Sequence, residues 1–152
     1  MSFLGEKVFP ASLDVLEEIR DYVLAAASGT KLDKKKIYKL QLAVDEIATN
    51  IVSYGYQQHK DHTGKIYIDA EFREQSLIVY LRDRGTAFDP RTKFRSEKET
   101  LTTSAEERRI GGLGIYLAMT GVDRFDYEYK EGMNINIFEV YINDDQVAKK
   151  SC

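Results

Sequence analysis

The chain has 152 residues, with 22 lysines and arginines against 25 aspartates and glutamates and a formal net charge of −3. So even a balance supplies no basic surface for gripping a phosphate backbone, which argues against direct binding to nucleic acid. No apolar run approaches the length of a membrane span, and the opening MSFLGEKVF has neither the basic start nor the apolar core of a secretory signal.

A hydrophobic content of 43% at this length suits one domain, residues 1–152, with a sizeable core. The only cysteine, Cys152, leaves no internal disulfide and points to a reducing compartment, the cytoplasm. His59 and His62 without a cysteine pair do not make a structural zinc site.

In chain order, Lys7 to Phe9 reads as a short opening strand ended by Pro10. Ser12 is an N-cap for a first helix whose apolar positions Leu13, Leu16, Ile19 and Val23 follow a 3.6-residue period as far as Gly29. Asp33 caps a second helix with the stripe Ile37, Leu40, Val44, Ile47, Ala48 and Ile51, ending near Gly55. Beside that stripe runs a polar strip of Glu46, Asn50 and Ser53. After a polar turn, His59 to Gly64, the period becomes alternating. Ile66, Ile68, Ala70 and Phe72 point one way, and Tyr67, Asp69 and Glu71 the other. Glu74-Gln75-Ser76 is a hairpin turn, and Leu77 to Leu81 a continuous apolar strand of the kind buried on both faces. Periodicity then fails from Asp83 to Gly114. Residues 93–110 are strongly polar, and a loop of that length in a compact domain reads as a lid or a mobile segment. Ile115 to Met119 forms a third helix ended by Gly121. Two strands follow, one alternating through Phe125, Tyr127 and Tyr129, the other running from Ile135 to Ile142. The apolar phase of the latter slips near Ile137-Phe138, as a bulge would make it do. Residues 144–152 carry no core pattern and read as a mobile tail.

Three motifs carry chemistry. Glu46 and Asn50, four residues apart, share one helix face, where a carboxylate and an amide oxygen can activate a hydroxyl or hold a hard cation. Taken alone, such a pair is more often solvated surface. Asp83-Arg-Gly-Thr-Ala-Phe-Asp89 follows a buried strand directly. Its first carboxylate can accept a hydrogen bond from an exocyclic amine, and Gly85 lets the backbone pass close to a ring; alone, it is more often a turn. Gly111-Gly112-Leu113-Gly114 runs into a helix, whose N-terminal N–H groups and dipole favour phosphate, or it is simply a hinge. It is not a Walker loop, since no Gly-Lys-Ser/Thr follows, and no strand leads into it as a Rossmann turn requires. The order of the three places a metal site, a base site and a phosphate site in one small domain.

With those residues in that order, the chain resembles the GHKL, or Bergerat-fold, ATPases over roughly residues 6–142. DEIATN (Asp45 to Asn50) resembles their N box, DRGTAFD the G1 box and GGLG the G2 box. Its size and the run EIATNIVSYGY resemble most the stand-alone anti-sigma-factor serine kinases of bacterial partner-switching systems. The resemblance implies an α/β (α+β) two-layer sandwich, a mixed, mostly antiparallel sheet with helices on one face, and residues 93–110 as the ATP lid. It implies ATP and Mg²⁺ as ligands, with Asn50 on the metal and Glu46 as general base for a serine hydroxyl or for water. Asp83 would read the adenine amino group, with Gly85 and Ala87 forming the turn around the base. Gly112, Leu113 and Gly114 would wrap the phosphates, and Arg108 or Arg109 would neutralise γ-phosphate charge. Asp45 either helps the site or faces solvent. Implied partners are a sigma factor and a STAS-type anti-anti-sigma protein, in a homodimer. A non-catalytic nucleotide-gated binding module, or a kinase or ATPase serving another signalling partner, is the alternative. The chain departs from the family pattern at Ala87, where a second glycine is common. It departs again at Gly132-Met133-Asn134, where a Gly-Thr hydroxyl is usual and Asn134 or Asn136 is the available substitute.

Overall fold

The computed structural model describes residues 2–55, 64–92 and 114–142. The proposed lid, the His59 to Thr63 part of the polar turn and the tail lie outside them. Within them, three helices cover one face of a five-stranded sheet.

The helices begin where side chains satisfy the first free N–H groups. Ser12 accepts from the Asp14 N–H at 3.2 Å and opens a 3-10 turn, Leu13–Val15, that leads into α1, Leu16–Ser28. That turn changes one expectation. Leu13 precedes the α-helical period, so it is 57% exposed, and burial begins beyond it with Val15 and continues with Ile19 and Val23. Asp33 accepts from the Lys36 N–H at 2.8 Å and starts α2, Lys34–Asn50, which buries Leu40, Ala43, Val44, Ile47 and Ala48. α2 then widens into a π-helical turn, Ile51–Gly55, so the helical run ends at the expected glycine. α3, Gly114–Gly121, packs beside α2.

The strands are β1, Ser2–Pro10, β2, Lys65–Arg73, β3, Ser76–Asp83, β4, Arg124–Lys130, and β5, Met133–Tyr141. Their order in the sheet is β1-β2-β3-β5-β4. All four pairings are antiparallel, the pure form of the mostly antiparallel sheet expected. β1 is longer than Lys7 to Phe9, because its register shifts between Leu4 and Lys7 and the Gly5-Glu6 interruption hides its first half. β5 has no bulge. Its register against β3 is unbroken from Ser76↔Tyr141 to Asp83↔Asn134. The apolar phase is broken in the sequence because Asn134 and Asn136 occupy buried, helix-facing positions while Ile135 and Ile137 point the other way.

Both hairpins turn on two residues. Glu131 and Gly132 have φ of 54° and 77°, the left-handed pair that a type I′ turn requires, and Glu74 has φ of 53°. Between sheet and helices, Ile66, Ile68, Leu77, Val79 and Leu81 meet Ile19, Val23, Leu40 and Val44 in one core. Phe138 closes it towards β4 with an edge-on contact to Phe125, ring centroids 5.2 Å apart.

Candidate active site

Alternation along β3 puts Leu77, Val79, Leu81 and Asp83 on the helix-facing side, so the last inward position of the strand is a carboxylate. β5 pairs Asn134 with Asp83 and Asn136 with Leu81, which brings three polar side chains to one end of an otherwise apolar face. All are buried, with exposures of 1% for Asp83, 3% for Asn134 and 2% for Asn136. The C-terminal end of α2 lies over them. An open pocket of about 150 Å³ is lined there by Ile47, Asn50 and Ile51 from α2, Asp83, Asn134 and Asn136 from the sheet, and Thr86, Ala87, Phe88 and Pro90 from the segment after β3.

Burial pushes the Asp83 carboxyl above the usual carboxylate range, opposed by the Gly85 N–H and the Asn134 amide that bond to it. Both contacts fall on Oδ1, from Gly85 N–H at 2.9 Å and Asn134 Nδ2 at 3.0 Å, so Oδ2 is the acceptor left for the pocket. Gly85 is buried and turns the chain tightly around its own carboxylate. Asn134 also donates to the carbonyls of Gly85 (3.3 Å) and Thr86 (3.2 Å), while its Oδ1 accepts from the Phe88 N–H (3.0 Å) and the Tyr127 hydroxyl. One amide therefore pins the carboxylate, the loop and β4 together.

Two pocket amides have unmade bonds. Asn50 Nδ2 is buried with no hydrogen-bond partner, and so is Asn136 Oδ1. Buried polar atoms are nearly always satisfied, so these mark where a ligand or water completes the site. The Asn50 amide is consistent with a place for Mg²⁺. A half-turn of that amide presents Oδ1 to a hard cation, which needs few protein oxygens when phosphates supply the rest.

One helical turn before Asn50, Glu46 lies against the first residue of α3. A Cβ placed on Gly114 would fall closer than 3.0 Å to Oε1, Cδ and Oε2 of Glu46. Only a glycine leaves room for the carboxylate there. Asp45 is not among the residues lining the pocket, and its side chain stays 27% exposed. Its Oδ1 is buried and 3.8 Å from Arg20 Nε, so it links α2 to α1 away from the pocket lining.

Asn50, Asp83 and Ala87 thus line one pocket, Gly85 bonds to the Asp83 carboxylate without lining it, and Glu46 meets Gly114 one helical turn before Asn50. Arg108, Arg109, Gly112 and Leu113 lie outside the described residues. Sequence reasoning missed the apolar walls, Ile47, Ile51, Phe88 and Pro90. Ile47 and Ile51 could have been placed, since they flank Asn50 on the same helix at i−3 and i+1.

This pocket, between a sheet end and the terminus of an overlying helix, defines the class of protein. The profile of the histidine kinase-like ATPase domain matches residues 9–138, and the chain belongs to that family. Within it, the chain belongs with the serine-protein kinases RsbW. It is 32% identical to the RsbW of Listeria innocua over 155 aligned positions, covering 99% of this chain and 97% of the relative. With the RsbW of Bacillus cereus it shares 28% identity, over 93% of this chain and 87% of the relative. The solved structure of the RsbU and RsbW domains of a Mycobacterium tuberculosis protein superposes with a TM-score of 0.61 at 15% identity, covering 91% of this chain and 33% of that one, a likeness of fold.

Proposed function

We propose that the chain is an ATP-dependent protein serine kinase that acts as an anti-sigma factor and phosphorylates a STAS-type antagonist. The observation that carries the reading is the pocket joining Asn50 of α2 to the buried Asp83 of β3. Asp83 Oδ2 accepts from the adenine amine, and Ile47 and Ile51 form an apolar wall for the ring. Asn50 gives its amide oxygen to Mg²⁺, which neutralises phosphate charge when bound. Glu46 takes the proton from the serine hydroxyl of the substrate, held in reach by the close approach of Gly114. Gly112, Leu113 and Arg108 or Arg109 complete the phosphate end. The names of the relatives, serine-protein kinases, support transfer to serine. We place the protein in the cytoplasm as a homodimer; among the described residues no helix is long and apolar enough to cross a membrane.

The test combines purified protein, Mg-ATP and the genetically linked STAS protein, followed by mass spectrometry for phosphoserine. Transfer is expected, and Glu46→Gln should abolish it while leaving ATP affinity nearly unchanged. ATP binding without transfer would sink the kinase reading and leave a nucleotide-gated binding module.

A further inference from the structure

Asn136 lines the pocket, and the proposed chemistry leaves it without work. We propose that it is a second base-reading residue, which with Asp83 selects a 6-aminopurine nucleotide over a 6-oxopurine one. The inference rests on the nucleotide reading of the pocket.

The direction of its amide follows from chemistry. Nδ2 donates to the Leu81 carbonyl at 3.3 Å, and a carbonyl can only accept, so the oxygen end faces the other way. That oxygen is buried and has no donor, on a side chain that is 2% exposed and lines the pocket. Asn134, two residues earlier, is fully occupied in holding Asp83 and the following loop. The sheet side of the pocket thus offers two acceptors, Asp83 Oδ2 and Asn136 Oδ1. An exocyclic amine brings two N–H donors to such a place. A 6-oxo group brings a third acceptor against them, and rejection by unpaired buried polar groups is strong. An apolar side chain at 136 would satisfy the core without an orphan atom, so the asparagine costs stability that a donor from the ligand recovers.

ADP and IDP differ at this position of the base and undergo no transfer, so calorimetric titration with each is the test. The wild-type protein should prefer ADP by at least about 100-fold. Asn136→Leu should weaken ADP about tenfold, bind IDP no more weakly than wild type and shrink the preference by at least that factor. Asn136→Thr should instead strengthen IDP, because a hydroxyl donates as well as accepts, and it is the smaller change should the leucine variant not fold. An unchanged ADP-to-IDP ratio in a folded variant would overturn the inference and leave the nucleotide site intact. If the wild-type protein binds neither nucleotide, the nucleotide reading fails and takes this one with it.

Discussion

Gly114→Ala separates the chemistry of Glu46 from the stability of the fold. Gly114 has no positive φ and begins α3, so alanine fits the backbone and should restrict the unfolded chain, a gain of about 0.4–1 kcal/mol. The new Cβ, however, meets the Glu46 carboxylate. Its most distant oxygen, Oε2, lies at 2.9 Å, and ordinary contact begins at 3.4 Å, so that oxygen must retreat by at least 0.5 Å (3.4 − 2.9) and the nearer atoms by more. Because the obstacle is the end of a flexible side chain, moving it is cheap for the fold. For proton abstraction it is not, since misplacement on the order of 1 Å can cost about 100-fold in rate. Single-turnover transfer to the STAS substrate at saturating ATP should therefore fall about 100-fold, with the melting temperature equal to or above wild type and ADP affinity within a few-fold. Wild-type transfer by a folded Gly114→Ala protein would show that the Glu46 carboxylate does not work from the position it holds against α3.

Asp83→Asn should keep both contacts made by Oδ1, remove a buried charge and match or exceed wild-type stability, while calorimetry shows ADP binding lost. Because burial raises the Asp83 pKa in the folded state, the stability it contributes is full below its unfolded value and declines as pH rises through the folded one. The advantage of Asp83→Asn in denaturant melts should therefore shrink on acidification. The Tyr22 hydroxyl donates to the Gly5 carbonyl at 2.9 Å, and burial, with the charge of Asp69, pushes its pKa from 10.0 to about 12. Tyr22→Phe should cost about 1 kcal/mol below pH 10 and show a shallower loss of stability between pH 10 and 12, since the unfolded tyrosine ionises first. Glu131→Asn puts the preferred Asn-Gly pair into the β4–β5 turn, where Glu131 sits at φ 54°, and should raise unfolding free energy by about 1 kcal/mol in urea.

Where local chemistry decides structure, the sequence was readable. Ser12 and Asp33 cap helices because their oxygens reach the second or third N–H, whatever the tertiary context. Alternation in β2 and the Asp-x-Gly turn after β3 are equally local, and they led to Asp83 and Gly85. β1 was cut short because its register shift depends on pairing with β2, a partner distant in sequence. β5 misled for the opposite reason. Asn134 and Asn136 look like breaks in a hydrophobic pattern, and only the pairing with Asp83 and Leu81 shows that they are inward positions given over to the site. Phe88 carries no periodic signal at all, since a loop places it, and Pro90 opens a helical turn too short to show a period.

The error in β5 and the orphan atoms have one cause. Among the described residues, the buried side-chain atoms without a hydrogen-bond partner are Asp45 Oδ1, Asn50 Nδ2 and Asn136 Oδ1, and the last two face the same pocket. Each unmade buried bond costs about 1–3 kcal/mol, and Asp83 adds the cost of a desolvated charge. A sequence selected for stability alone would place apolar residues at 50, 83 and 136, continuing the stripes of α2, β3 and β5. Those positions are where the periodic pattern of each element is interrupted by a polar residue, on three elements that converge only after folding. The local inconsistency is thus concentrated at one end of the sheet, where a ligand with donors and acceptors of its own can complete the bonds. α2 joins the two halves of that site. Within five residues it supplies the Glu46 carboxylate against α3, the Ile47 wall and the Asn50 amide, so anything that shifts α2 along its axis moves all three together.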